Sequence, residues 1–316
     1  ERLMIDASMG PPAVVTIGGE PAVVARTRTP LDGDQLYVEA FGARTGERLW
    51  RLGPLGDFAQ GYRATHFAAA GGRLIVSDAQ SKLRVLDLAT GAEQQQLNLT
   101  DRVEQMCDAP GEAGERVWFA QVDERSFYFD PQGGALTEAK ERPEGCPKHA
   151  FRERPETGRV DERGRKAPKA EGTKIEKLFE VDALGVAVGV KSPGTAIPRA
   201  VGYAPSSREV AWVEAIPAVD PATYREGSNE LAGLAGGRLV ALYGEGTKLW
   251  RVTALDASTG TRLWDVALRS IFAVDHISGL TVTDDLIYVV RMSSVDVLDA
   301  ATGARVTTIG DETYEG

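Results

Sequence analysis

No apolar run in the chain approaches the ~20 residues that a membrane-spanning helix needs, so no direct membrane insertion is expected within these 316 residues. Cysteine is scarce. Cys107 and Cys146 are the only two, too few for a structural zinc site, which is normally built on four ligands. The histidines His66, His149 and His276 are scattered and form no HxH or HExxH pattern, so metal catalysis has no support. No serine lies in a GxSxG elbow of the kind that exposes a nucleophile. A calcium loop of DxDxDG type is absent, and the GxG at Gly244-Glu245-Gly246 has no following helix to hold a phosphate. Positive charge is in deficit too: 36 Lys and Arg against 46 Asp and Glu leave a net charge of −10. That argues against nucleic acid as a partner. These absences point to a chain with no catalytic constellation and no cofactor.

What the chain does have is a repeat. Residues 43–50 read ARTGERLW and residues 257–264 read ASTGTRLW. LATGAEQQ from Leu88 and AATGARVT from Ala300 keep the same turn, and PQGGALTE from Pro131 and YAPSSREVAW from Tyr203 are degenerate copies. A second signature precedes each turn: TIGGEPAVVA from Thr16, AAGGRLIVSD from Ala69, LAGGRLVALY from Leu234 and VTDDLIYVV from Val282. Each is a short apolar run, a two-residue turn and a β-rich run. Gly-Gly suits a two-residue hairpin because the primed turns need positive φ. The spacing is regular, with 45 residues from Gly46 to Gly91, 43 from Gly91 to Gly134 and 43 from Gly260 to Gly303.

A period of roughly 40–45 residues with four strand-like runs is what one propeller blade requires. The expected fold is therefore all-β: a six-bladed β-propeller of four-stranded antiparallel blades, with seven blades as the alternative count. The units are expected to begin near Pro11, Ala64, Val103, Glu171, Asn229 and Ile277. All 316 residues are read as one domain carrying a charged insertion at 143–174, where Phe151 and Val160 are the only large apolar residues. Between Glu138 and Lys177 there are 12 Lys and Arg against 9 Asp and Glu, a local excess of positive charge on an acidic chain. Such a composition buries too little to order itself, so this arm is expected to be mobile or ordered by a partner.

The pattern LxALDAxTGxxLW stands here as RVTALDASTGTRLW (251–264) and, more loosely, as LYVEAFGARTGERLW (36–50). It resembles the PQQ-like, or quinoprotein-like, propeller repeat over nearly the whole chain outside 143–174. That resemblance implies structural roles for Gly46, Gly91, Gly260 and Gly303, which close turns, and for Trp50, Trp212 and Trp264, which pack between blades. The family includes PQQ-dependent alcohol and glucose dehydrogenases, and non-enzymatic members such as the outer-membrane-assembly lipoprotein. The dehydrogenases hold quinone and a metal ion through an Asp/Glu/Asn set and often carry a pair of adjacent cysteines. Neither can be placed on this sequence, so no cofactor residue is carried over. The repeat specifies fold far better than function.

The functional expectation is a non-catalytic binding or scaffold module. Its alternative is a small quinoprotein-like dehydrogenase, or a propeller lyase or hydrolase with a site at the channel mouth. In a blade the A–B and C–D turns share one face, and the B–C loops and blade-to-blade crossovers share the other. Here the turns are short, whereas the expansions at 27–34, 192–198 and 244–248 (B–C) and at 53–65 and 143–174 (crossovers) all fall on the second face. A rigid scaffold carries recognition on such loops. Arg28, Tyr62, Arg63, His66, Lys191, Lys248 and Trp250 are the candidate contacts there for a protein or peptide, since Arg and aromatic residues anchor interfaces. Cys107 and Cys146 bracket one blade and its exit crossover, and a disulfide between them would imply an oxidising compartment. The expected location is periplasmic or cell-surface, with any leader or anchor preceding the first residue, Glu1.

Overall fold

The computed structural model describes residues 4–5, 12–29, 34–57, 65–111, 114–143, 146, 159–160, 166–171, 173–181, 183–191, 198–216, 231–245, 249–269 and 277–310. Among these residues there are strands and turns and no helix, and the strands form six sheets. The first holds β1 (Met4–Ile5), β2 (Ala13–Ile17), β3 (Glu20–Thr29), β4 (Gln35–Gly42) and β5 (Arg48–Leu52). The second holds β6 (Phe67–Ala70), β7 (Arg73–Ser77), β8 (Lys82–Asp87) and β9 (Glu93–Asn98). The third holds β10 (Val103–Gly111), β11 (Gly114–Gln121), β12 (Ser126–Phe129) and β13 (Leu136–Glu138). The fourth holds β14 (Arg159–Val160), β15 (Thr173–Val181), β16 (Leu184–Lys191), β17 (Pro198–Tyr203) and β18 (Val210–Ala215). The fifth holds β19 (Leu231–Ala235), β20 (Arg238–Glu245), β21 (Leu249–Asp256) and β22 (Arg262–Arg269). The sixth holds β23 (Gly279–Val282), β24 (Leu286–Val290), β25 (Ser294–Asp299) and β26 (Arg305–Gly310).

Each sheet is a meander in chain order, with the Gly-Gly pairs at 18–19, 71–72 and 236–237 joining its first two main strands. Two sheets gain a fifth strand that sequence reading did not foresee. β1 pairs with the upper half of β3, Met4 opposite Arg28 and Ile5 opposite Thr27. β14 pairs with β15, Arg159 opposite Phe179 and Val160 opposite Leu178. Residues 159–160 lie inside the predicted insertion. Main-chain pairing orders them without needing large apolar side chains, and Pro168 is buried while Ala167 and Ala170 pack on the same sheet. The remainder of that insertion, including 147–158 and 161–165, lies outside the described residues.

The chain divides into two compact units: Glu1–Arg154 with Met292–Val295 and Thr307–Gly316, and Pro155–Arg291 with Asp296–Val306. Within the first, Val24, Val38 and Ala40 of one sheet interleave with Leu74, Val76 and Leu86 of the next. Ile75, Leu83 and Val85 then meet Val117, Phe119 and Phe129. Within the second, Val186, Val188 and Ala200 meet Ala232, Leu239 and Ala241, and Leu242, Val252 and Ala254 meet Leu280, Ile287 and Leu298. In β7, β8, β20 and β21 alternate residues therefore feed two different cores, which is why these strands are apolar on both faces.

The C–D turns explain the repeat letter by letter. Gly46, Gly91, Gly134, Arg208, Gly260 and Gly303 all adopt left-handed φ between 62° and 76°. Each donates its N–H to the carbonyl four residues earlier at 2.8 Å. Four residues beyond the turn stands the tryptophan. A Cβ on Gly91 would sit 2.7 Å from the Trp50 ring, one on Gly260 2.6 Å from Trp212, and one on Gly303 2.7 Å from Trp264. The three indole N–H groups donate to Leu88, Ala257 and Ala300 carbonyls at 2.9, 3.2 and 3.1 Å. Each tryptophan thus lies flat on the glycine of the following turn, where any side chain would displace it. Thr307 takes the same position in β26, its Oγ1 2.9 Å from where a Cβ on Gly46 would stand.

Candidate functional site

Counting from the turn residue also exposes a charged position inside the sheets. Seven residues before it, strand C carries Glu39, Arg84 and Asp296; two residues after it, strand D carries Arg48, Glu93 and Arg305. These pair across the two strands at 3.2, 2.7 and 3.7 Å. Glu39 is wholly buried and also accepts from Arg51 Nε at 2.6 Å and from the Thr27 hydroxyl. The Arg51 guanidinium stacks over Tyr37 at 4.4 Å. Asp296 is wholly buried as well, with Arg291 Nε donating to it at 2.8 Å.

The fifth sheet moves the carboxylate to strand D. Asp265 accepts from Arg251 Nε at 2.8 Å, from Thr253 Oγ1 at 3.0 Å and from Tyr243 Oη at 3.1 Å. In the fourth sheet Tyr203 Oη donates to Glu180 at 2.8 Å, and Arg208 pairs with the same carboxylate while stacking over the Tyr203 ring at 5.2 Å. Burial, reinforced by Glu180, raises the Tyr203 phenol above its ordinary range, and burial likewise raises Tyr243. Both phenols stay protonated as donors. Each of these carboxylates bridges cations and donors on neighbouring strands, so the clusters hold strand to strand. No group of three or more His, Cys, Asp or Glu suited to a metal ion occurs among the described residues, and no helix among them is long and apolar enough to cross a membrane.

Of the predicted contact residues, Arg28, His66 and Trp250 have described side chains. Arg28 lies within β3, opposite Leu36, and pairs with Asp34 at 3.7 Å. The predicted loop at 27–34 is shorter than expected, because the β3–β4 ladder continues to Thr29 and Gln35. The loop at 244–248 likewise shrinks to a hairpin, with Gly244 opposite Trp250 and Glu245 opposite Leu249. Trp250 is half-buried against the core shared by the last two sheets, which makes it a packing residue rather than an exposed anchor. His66 is buried, and its backbone N–H bonds the Ser77 hydroxyl at 3.0 Å at the entry to β6. Lys191 ends β16 opposite Thr173, and its side chain lies outside what is described, as do Tyr62, Arg63 and Lys248. Cys107 and Cys146 are joined by a disulfide with Cα atoms 5.9 Å apart. The bond is buried beside Trp118, Ala109 and Ala139.

Repeated four-stranded meanders, glycine turns and tryptophans laid on the next turn define the PQQ-like repeat class. A family model described as "Outer membrane protein assembly factor BamB" matches residues 34–164 and 199–310, and the chain belongs to that family. Among solved structures, BamB from Moraxella catarrhalis is similar at 16% identity, covering 97% of this chain and 77% of that one with a TM-score of 0.32. No curated protein matches.

Proposed function

We propose that this chain is a non-catalytic binding module that works outside the cytoplasm and takes a protein or peptide partner on its B–C loop face. The observation that carries the reading is the family match along both halves of the chain, whose name is that of an assembly factor. The disulfide supports an oxidising compartment such as the periplasm. We further propose that the six sheets close into a six-bladed propeller. The contact of Thr307 with Gly46, at the position tryptophan fills elsewhere, favours closure without a further blade.

The opposite turns are short where described, with Gly-Gly hairpins at 18–19, 71–72 and 236–237 and four C–D turns capped by Asp87, Asp130, Asp256 and Asp299, and they offer little that varies. The expansions read from the sequence at 53–65, 143–174 and 192–198 supply the variation on which recognition depends. Site-specific photo-crosslinking from the loop face and from the turn face tests the reading: adducts are expected from the loop face alone.

A further inference from the structure

β3 runs for ten residues, while β2, its partner on the inner side, covers only residues 20–24 of it. The upper half of β3 is deeply buried, with Arg26 3%, Thr27 0% and Thr29 1% exposed. Backbone groups buried to that degree need hydrogen-bond partners, so the strand leaves a slot that must be filled. Met4 and Ile5 fill it, opposite Arg28 and Thr27.

Ile5 also reaches the last sheet. Its N–H donates to the Ser293 carbonyl at 2.9 Å, and its side chain is 1% exposed. Gly310, at the end of β26, has a φ of 93°. A Cβ there would lie 2.5 Å from the Ser293 oxygen and 3.2 Å from Ile5 Cγ1. Glycine at 310 is therefore required by its positive φ and by the closeness of the Ser293 carbonyl, the same group that accepts from Ile5.

We propose that the slot beside residues 27–28 of β3 is a strand-binding site, filled in cis by Met4–Ile5, which act as a clasp tying the first sheet to the β24–β25 turn and the end of β26. Antiparallel pairing brings the chain into the slot from the B–C loop side, since β3 runs toward that side. The recognition chemistry is that of β-strand addition: a short antiparallel main-chain pairing at Met4–Arg28 and Ile5–Thr27 and one pocket for a branched apolar side chain. This inference concerns only the clasp and stands apart from the identity of any partner.

Hydrogen exchange on the full chain and on Ile5→Ala, Gly310→Ala and a form lacking residues 1–5 tests it. Exchange should quicken roughly tenfold or more in peptides covering 25–29, 293–299 and 305–310, and stay unchanged in β7, β11 and β20. A labelled peptide of residues 1–10 should bind the shortened form, restore its protection and leave the full chain unlabelled. Unchanged exchange at 293–299 in Ile5→Ala would overturn the clasp, as would a rise spread evenly over all six sheets. If the shortened form fails to fold, the two point variants decide the question by the same local readout.

Discussion

Alanine at Gly91 separates backbone strain from the tryptophan contact, because Gly72 provides a control of the same conformation. Gly91 has φ of 70° and Gly72 of 73°. A Cβ on Gly72 meets nothing within 4 Å, whereas one on Gly91 lands 2.7 and 2.8 Å from two atoms of the Trp50 ring. Gly72→Ala should therefore cost only the left-handed penalty, about 1–2 kcal/mol. Gly91→Ala pays the same penalty and must also displace an indole that is 8% exposed. Overpacking of this kind costs about 1–3 kcal/mol, and losing the Trp50 bond to Leu88 adds about 1 kcal/mol. The expected totals are about 1–2 kcal/mol for Gly72→Ala and about 3–6 kcal/mol for Gly91→Ala. Urea unfolding followed by tryptophan fluorescence measures both, with an unchanged m-value as the check that the unfolded state is comparable. Equal losses for the two variants would refute the idea that the turn glycine is kept for the ring lying on it.

Three further outcomes follow from the geometry. Replacing Cys107 and Cys146 by serine should lower stability by about 4 kcal/mol for a closed loop with a separation of 39 residues, and an unreduced digest of the native protein should contain the linked peptide pair; two freely alkylated thiols would rule the bond out. Glu39→Gln should cost about 2–3 kcal/mol, less than the ~3–5 kcal/mol of a fully buried broken pair, because Arg48 and Arg51 are 43% and 23% exposed; a loss below about 0.5 kcal/mol would show that the cluster is electrostatically idle. Asp256 is held below the ordinary carboxylate range, first by the Ser258 hydroxyl and then by the amide and hydroxyl of Thr259, and Asp87 likewise by Thr90. Their folded pKa values lie below the unfolded value of about 3.9, so the stability they lend is full above that pH and fades as pH falls through the folded values; an Asp256→Asn, Asp87→Asn variant should show a flatter acid limb in a urea titration, and an unaltered limb would contradict this.

Most of the strand order was legible because the turns are chemically demanding. Paired glycines and the xTG triplet mark places where the chain needs positive φ, and their 43- to 45-residue spacing marks the unit. Even the weakest copy was readable through Trp212, although Arg208 holds the glycine position there with φ of 62°. Strand ends were less legible. Thr27 to Thr29 and Gly244-Glu245 look like loop by composition, but a ladder partner far along the chain decides whether a strand continues. β1 and β14 were invisible for the same reason: two-residue strands have no period to detect. His66 and Trp250 have the chemistry of anchors, yet burial is a property of packing, which buries His66 and half-buries Trp250. Glu39 and Asp296 were passed over because a single carboxylate in an apolar strand has no signature until its arginine is found two residues past the next turn.

Photo-crosslinking in living cells tests the central claim most directly. A benzophenone amino acid placed at 62, 191 or 248 probes the loops proposed for binding, and one at 90, 259 or 302 probes exposed C–D turns. If the chain is a binding module that uses its loops, the first three positions should give the same discrete adduct with one protein partner and the last three should give none. Adducts of equal strength from the turn positions, or none from any of the six in protein shown to be folded, would contradict it.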